Sequence, residues 1–517
     1  MRTLAEGTSE VSPVNAKRPL PEISVAEAIE GVEAVRVSGP ANAQISSVAY
    51  DSRKAERGSV FFALPGEKAD GFRFVGDALA RGAVAIASSH PRAADISPDV
   101  SWVELVAGKE RRALALTSSN FYRHPAEALK LVGVTGTNGK TTTTFLIDSV
   151  LRAAGCTSGL AGTTGYRTPQ GSRPALNTTP ESLDLQRMFA EIRDAGGSHA
   201  VLEASSHALV MDRLWGCHFA VAVFTNLTRD HLDYHKNFED YFGAKRRLFE
   251  GTGAGAPEVA GINADDAYAD RLEGLGRRTL TYGLKSTADL VAKNVTLGFA
   301  GVQFTAQTPA GKIEAHSPLV GRINVYNILA AIAAGIGLGV PVAKIEEGIA
   351  NLSLVPGRFQ RIDEGQPFLV IVDYAHTDDA LRNLISTARE LNASGRIITV
   401  FGAGGERDRT KRPLMGEAAG LLSDLVVLTS DNPRGEDPLR IINDVVVGLQ
   451  KVSAKYKTEP DREKALQLAL REARAGDIVL LAGKGHETYQ VLKDKTIDFD
   501  DREKAREILR RVGYSKP

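Results

Sequence analysis

The stretch that decides the fold is G-V-T-G-T-N-G-K-T-T-T-T, Gly133 to Thr144. It follows the apolar run that begins at Leu129 and leads into a helix-like segment that Gly155 closes. A buried strand, a Gly-rich turn and a helix in this order are typical of a phosphate-binding loop. Gly136 and Gly139 allow the backbone N–H groups to turn toward phosphate oxygens, and the helix N-terminus adds its dipole.

The loop does not have the commonest spelling, because Val134 stands where the first Gly of G-x-x-x-x-G-K-[ST] belongs. A Gly-rich turn without a ligand is the alternative, but Lys-Thr-Thr and the preceding strand favour phosphate. Lys140 would place a point charge at the terminal phosphates, and Thr141 would offer a hydroxyl to Mg²⁺. The predicted nucleotide contacts of the loop are Gly136, Thr137, Asn138, Gly139, Lys140, Thr141 and Thr142. A kinase, a motor, a switch or a ligase could carry such a loop.

Outward from the loop, the pattern predicts three α/β domains. Apolar runs of strand length, such as His199–Ser206 and Phe219–Leu227, alternate with helices and indicate a parallel sheet covered on both faces. Residues 276–320 alternate more and predict a few antiparallel strands appended to this sheet, and Leu354–Arg361 resembles a linker. The predicted boundaries are a flexible tail at 1–21, a small N-terminal α/β domain at 22–125, a central P-loop domain with a mostly parallel sheet at 126–354, and a Rossmann-like domain at 355–517.

Composition excludes several classes of protein. Lys+Arg and Asp+Glu are both 63 in a chain of 517 residues, so no global charge favours nucleic acid or anionic membranes. Two isolated cysteines make neither a disulfide framework nor a metal site. The longest apolar run, Leu329–Val342, is too short to span a bilayer and is interpreted as a buried helix. Since the N-terminus also lacks the apolar core of a signal peptide, we expect a cytoplasmic protein.

Each predicted strand of the third domain ends in a polar or Gly-rich tip. The tips are Asp373–His376, Gly402–Asp408, Ser430–Arg434 and Gly483–Glu487. Ligands of open α/β sheets bind at the carboxyl ends of the strands. The four tips therefore predict one binding crevice.

Three further residues of the central domain suggest a metal site near the phosphate loop. Glu203 ends one strand, His231 follows the next, and Lys245 lies on the following helix. Taken singly, each has an ordinary explanation: a capping acid, a core or loop histidine, and a solvated lysine. A carboxylate and an imidazole beside a phosphate loop are nevertheless suitable metal ligands.

Together these motifs resemble the Mur ligase family of ATP-dependent amide-forming enzymes. The motifs are G-T-N-G-K-T-T, E-x-S-S-H-A-L, N-L-x-x-D-H-L-D-Y-H and Y-x-x-A-K-x-x-L-F, and the likeness covers residues 22–517. The resemblance implies that Thr141, Glu203 and His231 surround two Mg²⁺ ions. It implies that CO₂ carbamylates Lys245, giving N6-carboxylysine, an anion that can bind Mg²⁺. It also implies catalytic roles for Lys140, Glu203, His231 and Lys245.

The family's reaction is carboxylate activation, which would serve peptidoglycan synthesis and hence cell wall biogenesis, cell shape and cell division. The resemblance implies that the acceptor carboxylate takes the γ-phosphate of ATP and that an amine then displaces phosphate. The acceptor in this branch is UDP-N-acetylmuramoyl-L-alanyl-D-glutamate. Related enzymes can carry glutamine where Met211 stands, so this sequence departs from the pattern there. The implied acceptor contacts are Ser52, Asn177, Thr178, Thr179, Ser205, Met211 and Arg213.

The resemblance also implies contacts with the base and ribose of ATP. G-R-I-N-V-Y-N (Gly321–Asn327) and P-G-R-F-Q-R (Pro356–Arg361) resemble the family's nucleotide segments. Helix capping is the alternative role for the two asparagines. The predicted contacts are Asn324, Asn327, Arg358 and Asp373.

D-N-P-R, Asp431 to Arg434, resembles the pattern of family members that add meso-2,6-diaminopimelate. This amino acid differs from lysine by a distal carboxylate, which one guanidinium can bind with two parallel hydrogen bonds. An ion pair of Arg434 with Glu436 or Asp437 is the ordinary alternative. The predicted diaminopimelate contacts are Arg407, Asp431, Asn432, Pro433, Arg434, Gly483 and Glu487.

Other functions stay open at this point. A lysine-adding member of the family is the nearest alternative, and a P-loop protein that hydrolyses ATP to change shape is the alternative from another class. Folylpolyglutamate synthase shares the central domain, but the N-terminal domain and D-N-P-R do not fit it. We expect a monomer whose partners are small molecules, and a domain movement about the linker near Pro356.

Overall fold

The computed structural model of the protein describes residues 22–66, 69–285 and 287–514. The chain divides into two compact units between Arg123 and His124. The predicted tail at 1–21 lies outside the described residues. The predicted boundaries at 125 and 354 stay predictions.

The first unit is built on a five-stranded sheet with the order β2-β7-β6-β5-β4. Four of its strands run parallel, and β2 pairs antiparallel with β7. The continuous apolar sequence of β5 and β6 fits strands buried on both faces. The elements are β1 (Ile23–Ser24), α1 (Val25–Ala28), β2 (Ala34–Ser38), β3 (Gln44–Ile45), β4 (Ser47–Ala49), β5 (Ser59–Phe62), α2 (Val75–Ala80), β6 (Ala85–Ser88), β7 (Ser101–Leu105) and α3 (Glu110–Phe121).

The second unit begins with an eleven-stranded mixed sheet whose order is β11-β10-β9-β12-β8-β13-β14-β15-β16-β17-β18. The phosphate-loop strand β8 lies near its middle, and α4 packs on α8 and α9. The elements are β8 (Lys130–Thr135), α4 (Lys140–Ala153), β9 (Ser158–Gly162), β10 (Gly165–Thr168), β11 (Gly171–Arg173), α5 (Ser182–Asp194), β12 (His199–Glu203), α6 (Ser206–Val210), β13 (Phe219–Phe224), α7 (Phe238–Glu250), β14 (Val259–Asn263), β15 (Arg278–Gly283), β16 (Leu290–Gly298), β17 (Gly301–Thr308), β18 (Gly311–Ser317), α8 (Ile323–Gly337) and α9 (Val342–Asn351).

The pairing of this sheet refines the prediction for residues 276–320. β15 and β16 continue the parallel run from β14, and antiparallel pairing begins only between β16 and β17. The opposite edge, β9-β10-β11, is also antiparallel, which the sequence pattern did not predict. Both extensions are hairpins, because only short turns separate their strands.

The C-terminal part of the second unit is a six-stranded sheet with the order β19-β20-β24-β21-β22-β23. All its pairs are parallel except β19 with β20, so the predicted Rossmann-like arrangement is confirmed. The predicted linker is partly wrong, because β19 begins at Gln360. The elements are β19 (Gln360–Ile362), β20 (Leu369–Asp373), α10 (Asp378–Leu391), β21 (Ile397–Phe401), α11 (Lys411–Leu422), β22 (Leu425–Leu428), α12 (Pro438–Lys451), β23 (Tyr456–Thr458), α13 (Arg462–Glu472), β24 (Ile478–Ala482), β25 (Tyr489–Val491), β26 (Thr496–Asp498) and α14 (Asp501–Arg511).

The apolar run Leu329–Val342 lies mostly on α8, which is buried almost all round against β13–β17, as predicted. A helix that is apolar on every side needs such a fully buried position. Within the described residues, no helix combines the length and the apolar character that crossing a membrane requires.

Candidate active site

The phosphate loop connects β8 to α4 and depends on two glycines. Gly136 and Gly139 have φ angles of 142° and 87°, in the left-handed region. A Cβ at Gly136 would lie 1.9 Å from Thr225 Oγ1, and one at Gly139 would lie 2.5 Å from Asn327 Oδ1. Both conformation and space therefore require glycine at these two positions.

The polar pair that follows β13 fixes the shape of the loop. The backbone N–H of Thr137 donates to Asn226 O at 2.8 Å, and that of Asn138 donates to Asn226 Oδ1 at 2.9 Å. Thr225 Oγ1 donates to Asn138 O at 2.6 Å. Thr225 and Asn226 were not predicted from the sequence, although their place directly after a strand that neighbours β8 is a usable signal.

Lys140 bends back over the loop that it follows. Its Nζ donates to Gly136 O at 2.9 Å and to Thr137 O at 2.7 Å. Burial lowers the pKa of Lys140, and the nearby carboxylates of Glu203 and Asp230 oppose that shift. The ammonium thus lies at the loop, where it can meet the terminal phosphates of a nucleotide.

Lys245 is the most unusual side chain of the site. It is only 1% exposed, and its Nζ donates to Gly136 O at 2.7 Å, the same carbonyl that Lys140 uses. Burial, followed by the charge of Lys140, holds the pKa of Lys245 well below its ordinary value. Tyr241 places its ring 4.2 Å from Nζ, but among the described residues no carboxylate lies within ion-pair distance. The ammonium of Lys245 therefore loses its proton more easily than that of an exposed lysine.

Glu203, the last residue of β12, points to the turn between β9 and β10. Thr163 donates its backbone N–H to Glu203 Oε1 at 2.8 Å and its hydroxyl to Oε2 at 3.1 Å. Thr163, which lies in a G-T-T-G turn, was not predicted from the sequence. A Cβ at Gly162 would lie 2.2 Å from Glu203 Oε1. The turn consequently orients the Glu203 carboxylate through Thr163 and leaves room for it at Gly162.

Gly162→Ala is expected to displace the Glu203 carboxylate and, if Glu203 has its predicted catalytic role, to lower kcat by about 10²-fold, because a misplacement of about 1 Å can cost that much. Steady-state kinetics with thermal unfolding of the same sample checks this. Gly298→Ala is the control, because a Cβ there meets no atom within 4 Å. A Gly162→Ala enzyme with parental kcat contradicts the assigned role of Glu203.

The proposed metal ligands line one cavity. Thr141, Glu203, His231 and Lys245 all face it. His231 has a left-handed φ of 54°, and desolvation lowers the pKa of its imidazole, which suits a ligand nitrogen. Among the described residues, no group of three or more His, Cys, Asp and Glu side chains is arranged to hold a metal. The donor set fits Mg²⁺ only if Lys245 contributes oxygens as a carbamate.

The cavity has a volume of about 280 Å³ and is also lined by the four residues predicted to contact ATP beyond the loop. Asn327 accepts from Thr143 Oγ1 and donates to Asn324, so both asparagines lie inside α8 rather than capping it. Arg358 donates to Thr141 Oγ1 at 3.0 Å. Burial raises the pKa of Asp373, which accepts from the backbone of Phe359.

Residues that follow β20 and β24 contact central-domain residues beside the cavity. Asp379, on α10, accepts from Asn138 Nδ2 at 2.7 Å and from Thr228 Oγ1 at 3.2 Å. His486, beyond β24, hydrogen-bonds to Thr163 O at 3.0 Å. The two sheets of the second unit therefore contribute to one site. No motif in the sequence indicated these contacts.

The predicted acceptor residues of the second unit form a chain of contacts beside Glu203. Thr163 and Thr178 hydroxyls are 3.2 Å apart, and Thr179 Oγ1 donates to Glu203 O at 2.6 Å. Thr178 and Ser205 line the cavity, and Ser205 caps α6. Asn177 lies next to this chain through its backbone contacts with Tyr166.

Arg213 is held by the protein itself. Its Nη1 donates to Thr179 O at 2.9 Å, and its Nε lies 3.2 Å from Glu181 Oε2. Met211 Sδ accepts a hydrogen bond from Arg213 Nη2 at 3.5 Å. Met211 is the position at which this sequence departs from the family pattern. Ser52 belongs to the first unit, where it is buried at the start of the 3₁₀ turn Ser52–Lys54.

Arg434 has no carboxylate partner within ion-pair distance among the described residues. Its Nη1 donates to Gly405 O at 2.7 Å and to Asn432 O at 3.4 Å. The ordinary alternatives are occupied elsewhere, because Glu436 pairs with Arg412 and Asp437 caps α12. The half-buried guanidinium is thus left able to bind an external carboxylate.

Arg407 and Pro433 lie close to Arg434, beside two consecutive glycines. A Cβ at Gly404 would lie 3.2 Å from Arg434 Nη1 and 3.6 Å from Arg407 Cγ, so the two arginines flank this glycine. The carbonyl oxygen of Pro433 would lie 1.9 Å from a Cβ placed on Gly405. Two of the predicted strand tips therefore meet here at close range.

The D-N-P-R tip also contacts the tip that follows β24. Asn432 Nδ2 donates to Glu487 Oε2 at 2.9 Å. Lys484, fully buried and not predicted from the sequence, lies 3.0 Å from Glu487 and 3.7 Å from Asp431. Asp431 Oδ1 is buried without a hydrogen-bond donor in the described structure. A Cβ placed on Gly483 would lie 4.0 Å from the Asp431 carboxylate, so this glycine is close to it. The predicted diaminopimelate residues of these two tips are therefore brought together.

Three family models match the chain: the Mur ligase family catalytic domain at residues 44–122, the Mur ligase middle domain at 134–335, and the Mur ligase glutamate ligase domain at 357–485. Two curated relatives are named UDP-N-acetylmuramoyl-L-alanyl-D-glutamate–2,6-diaminopimelate ligase. The one from Solibacter usitatus (strain Ellin6076) is 53% identical, covering 95% of this chain and 99% of its own. The one from Geobacillus thermodenitrificans (strain NG80-2) is 46% identical, covering 91% and 96%.

A solved structure with the same name is 34% identical, with a TM-score of 0.64, and the match covers 96% of this chain and 100% of that one. The three-domain α/β fold class predicted from the sequence is thereby confirmed. The matched segments include the phosphate loop, Glu203, His231, Lys245 and the D-N-P-R tip. This chain belongs to the Mur ligase family.

Proposed function

We propose that this protein is an ATP-dependent ligase that joins meso-2,6-diaminopimelate to UDP-N-acetylmuramoyl-L-alanyl-D-glutamate in peptidoglycan precursor synthesis. The relatives that match almost its whole length carry the name of this activity. The observation that carries the choice of amino acid is Arg434, a half-buried guanidinium whose hydrogen bonds within the described residues go to backbone carbonyls. The proposed location is the cytoplasm, where ATP and nucleotide-linked precursors are available, and the proposed state is a monomer.

ATP would bind in the cavity of the second unit. The loop from Gly136 to Thr142 would surround its phosphates, with Lys140 at the terminal ones. Asn324, Asn327, Arg358 and Asp373 would contact the base and ribose. Two Mg²⁺ ions, held by Thr141, Glu203, His231 and carbamylated Lys245, would neutralise charge on the phosphates.

The proposal that Lys245 carries a carbamate rests on the neutral form of its buried amine. CO₂ adds to a neutral amine: a C–N bond forms, and the amine loses one proton. Burial and the neighbouring Lys140 favour this neutral form. The product is an anion, which the neighbouring Lys140 ammonium would then stabilise.

Two bond exchanges make up the proposed reaction. An acceptor carboxylate oxygen attacks the γ-phosphorus, the bond to the bridging oxygen breaks, and ADP leaves the acyl phosphate. The uncharged amine of diaminopimelate then attacks the acyl carbon, phosphate leaves, and the amine gives up a proton. Thr178, Ser205 and neighbouring acceptor residues would orient the carboxylate, and positioning supplies most of the acceleration.

The amino-acid site would match three charged groups of diaminopimelate, its two carboxylates and its distal ammonium. Arg434 and Arg407 would each take one carboxylate. Gly483 and Glu487 would take the distal ammonium, together with Asp431, whose Oδ1 is buried without a hydrogen-bond donor in the described structure and lies 3.7 Å from Lys484 Nζ. L-Lysine lacks the distal carboxylate and would leave Arg434 unpaired. The lysine-adding alternative is therefore disfavoured.

Isotope transfer tests the proposed chemistry. The acceptor is prepared with ¹⁸O in its carboxylates, and phosphate released in the presence of ATP and diaminopimelate is analysed by mass spectrometry. One ¹⁸O per phosphate, together with amide product, is expected. Unlabelled phosphate whose release does not depend on either substrate would indicate a P-loop switch that only hydrolyses ATP.

A further inference from the structure

Arg462 and Asp501 form a completely buried ion pair outside the site described above. Arg462 is the first residue of α13 and Asp501 the first of α14, and both side chains are 0% exposed. Two parallel hydrogen bonds join them, Nε to Oδ1 at 2.8 Å and Nη2 to Oδ2 at 2.6 Å. A buried pair generally adds little stability over apolar residues of similar volume. Its presence therefore suggests a purpose other than stability.

The remaining donors of Arg462 contact two strand ends. Nη1 donates to Ser430 O at 3.1 Å, and Nη2 donates to Ala482 O at 3.0 Å. These carbonyls directly precede Asp431 and Gly483. The two segments at these strand ends, Ser430–Arg434 and Gly483–Glu487, are named here the amino-acid tips.

Among the described residues, the strands that lead to the amino-acid tips share no direct backbone ladder and are joined only through β21. In the sheet, β21 lies between β24 and β22, so the strands that lead to the tips do not pair with each other. The Arg462 guanidinium bridges the ends of β22 and β24 beyond the end of β21. Because the guanidinium is planar and rigid, it fixes the separation of its two carbonyl partners. Asp501 holds that plane and neutralises its charge.

We infer that Arg462 and Asp501 are a positioning pair that sets the separation of the amino-acid tips and thereby the selection of diaminopimelate. This inference rests on the proposed function. The tips carry Arg434 on one side and Glu487 on the other, and the Asn432–Glu487 contact between them spans 2.9 Å. A change in their spacing alters how far the distal carboxylate site lies from the distal ammonium site. Neither Arg462 nor Asp501 needs to contact the substrate.

The double variant Arg462→Met/Asp501→Leu tests the inference without leaving a buried unpaired charge. The KM for diaminopimelate is expected to rise about 10–10²-fold, as for a displaced binding group, while the KM values for ATP and the acceptor stay within about twofold. The preference for diaminopimelate over L-lysine is expected to fall. Thermal unfolding of each variant is measured in parallel.

Arg396→Met is the matched control, since Arg396 pairs with Asp477 at 2.6 Å across the opposite ends of β21 and β24. It is expected to alter thermal stability but neither the KM for diaminopimelate nor the preference. Asp501→Asn, which keeps the shape, serves if the double variant does not fold. It is expected to raise the same KM to a smaller extent.

Parental KM and preference in the folded variants would overturn the inference, as would equal increases in all three KM values. Failure of the proposed function is distinguishable, because the parent enzyme itself would then form no product that depends on diaminopimelate.

Discussion

Replacing Lys245 with methionine is expected to lower kcat by about 10²–10³-fold, as removal of a preorganised charge-stabilising group does. The side chain is buried beside Lys140, and methionine supplies neither a carbamate nor a donor to Gly136 O. Phosphate release measured with saturating substrates checks the loss. Lys236→Met, an exposed position shortly before α7, is the control and is expected to keep parental activity.

The same variant is expected to change how stability depends on pH. In CO₂-free buffer the folded protein holds the pKa of Lys245 well below 10.5, so the unfolded chain binds the extra proton. The lowered pKa of Lys245 therefore destabilises the folded parent protein, and this destabilisation is fully present below the folded-state pKa. The free energy of unfolding rises as the pH increases from the folded-state pKa toward 10.5. Lys245→Met lacks this contribution. Urea unfolding between neutral and alkaline pH should show a steeper rise for the parent, and equal slopes would contradict the assigned state of the amine.

Arg434→Asn is expected to lower kcat/KM for diaminopimelate by about 10²–10³-fold, because a lost charge-assisted partner costs about 2–5 kcal/mol. Asparagine is chosen because Arg434 has a left-handed φ of 53°, which asparagine tolerates. Use of L-lysine is expected to change little, since lysine has no distal carboxylate for Arg434 to bind. Parallel kinetics with the two amino acids measures both effects.

Arg409→Ala is the control for Arg434, because its side chain is 66% exposed in a neighbouring loop and pairs with Asp444. It is expected to keep both activity and preference. An equal loss with both amino acids in Arg434→Asn would assign Arg434 a structural role. That result would leave the ligase activity in place and remove the basis for selecting diaminopimelate.

The phosphate loop could be predicted from sequence because its constraints are local. Gly136 and Gly139 have positive φ angles, and Lys140 begins a helix directly after them. Glu203 could be placed at a strand end for the same reason, since a continuous apolar run of strand length precedes it. The family resemblance then connected Lys245 to this site, which a lone lysine on a helix could not have done.

Contacts between segments distant in the chain could not be predicted. Lys484 and the Arg462–Asp501 pair gain their environment only when the strands assemble in the order β20-β24-β21-β22. Asp379 gains its environment from Asn138 and Thr228, which belong to the other sheet of the second unit. One antiparallel edge of the central sheet was missed, because β10 and β11 are short and give weak signals. The other antiparallel edge begins later in the chain than predicted. Arg213 shows the same limit, since its pairing with Glu181 depends on how the segment before α5 folds.

The central claim is that this chain makes an amide with diaminopimelate at the expense of ATP. The most direct measurement is phosphate release from ATP with the UDP-muramoyl-dipeptide, adding meso-diaminopimelate or L-lysine in parallel, with the product mass determined. Release and a product heavier by one diaminopimelate residue are expected with diaminopimelate alone. Release that is indifferent to both amino acids, with no new product, would contradict the ligase function.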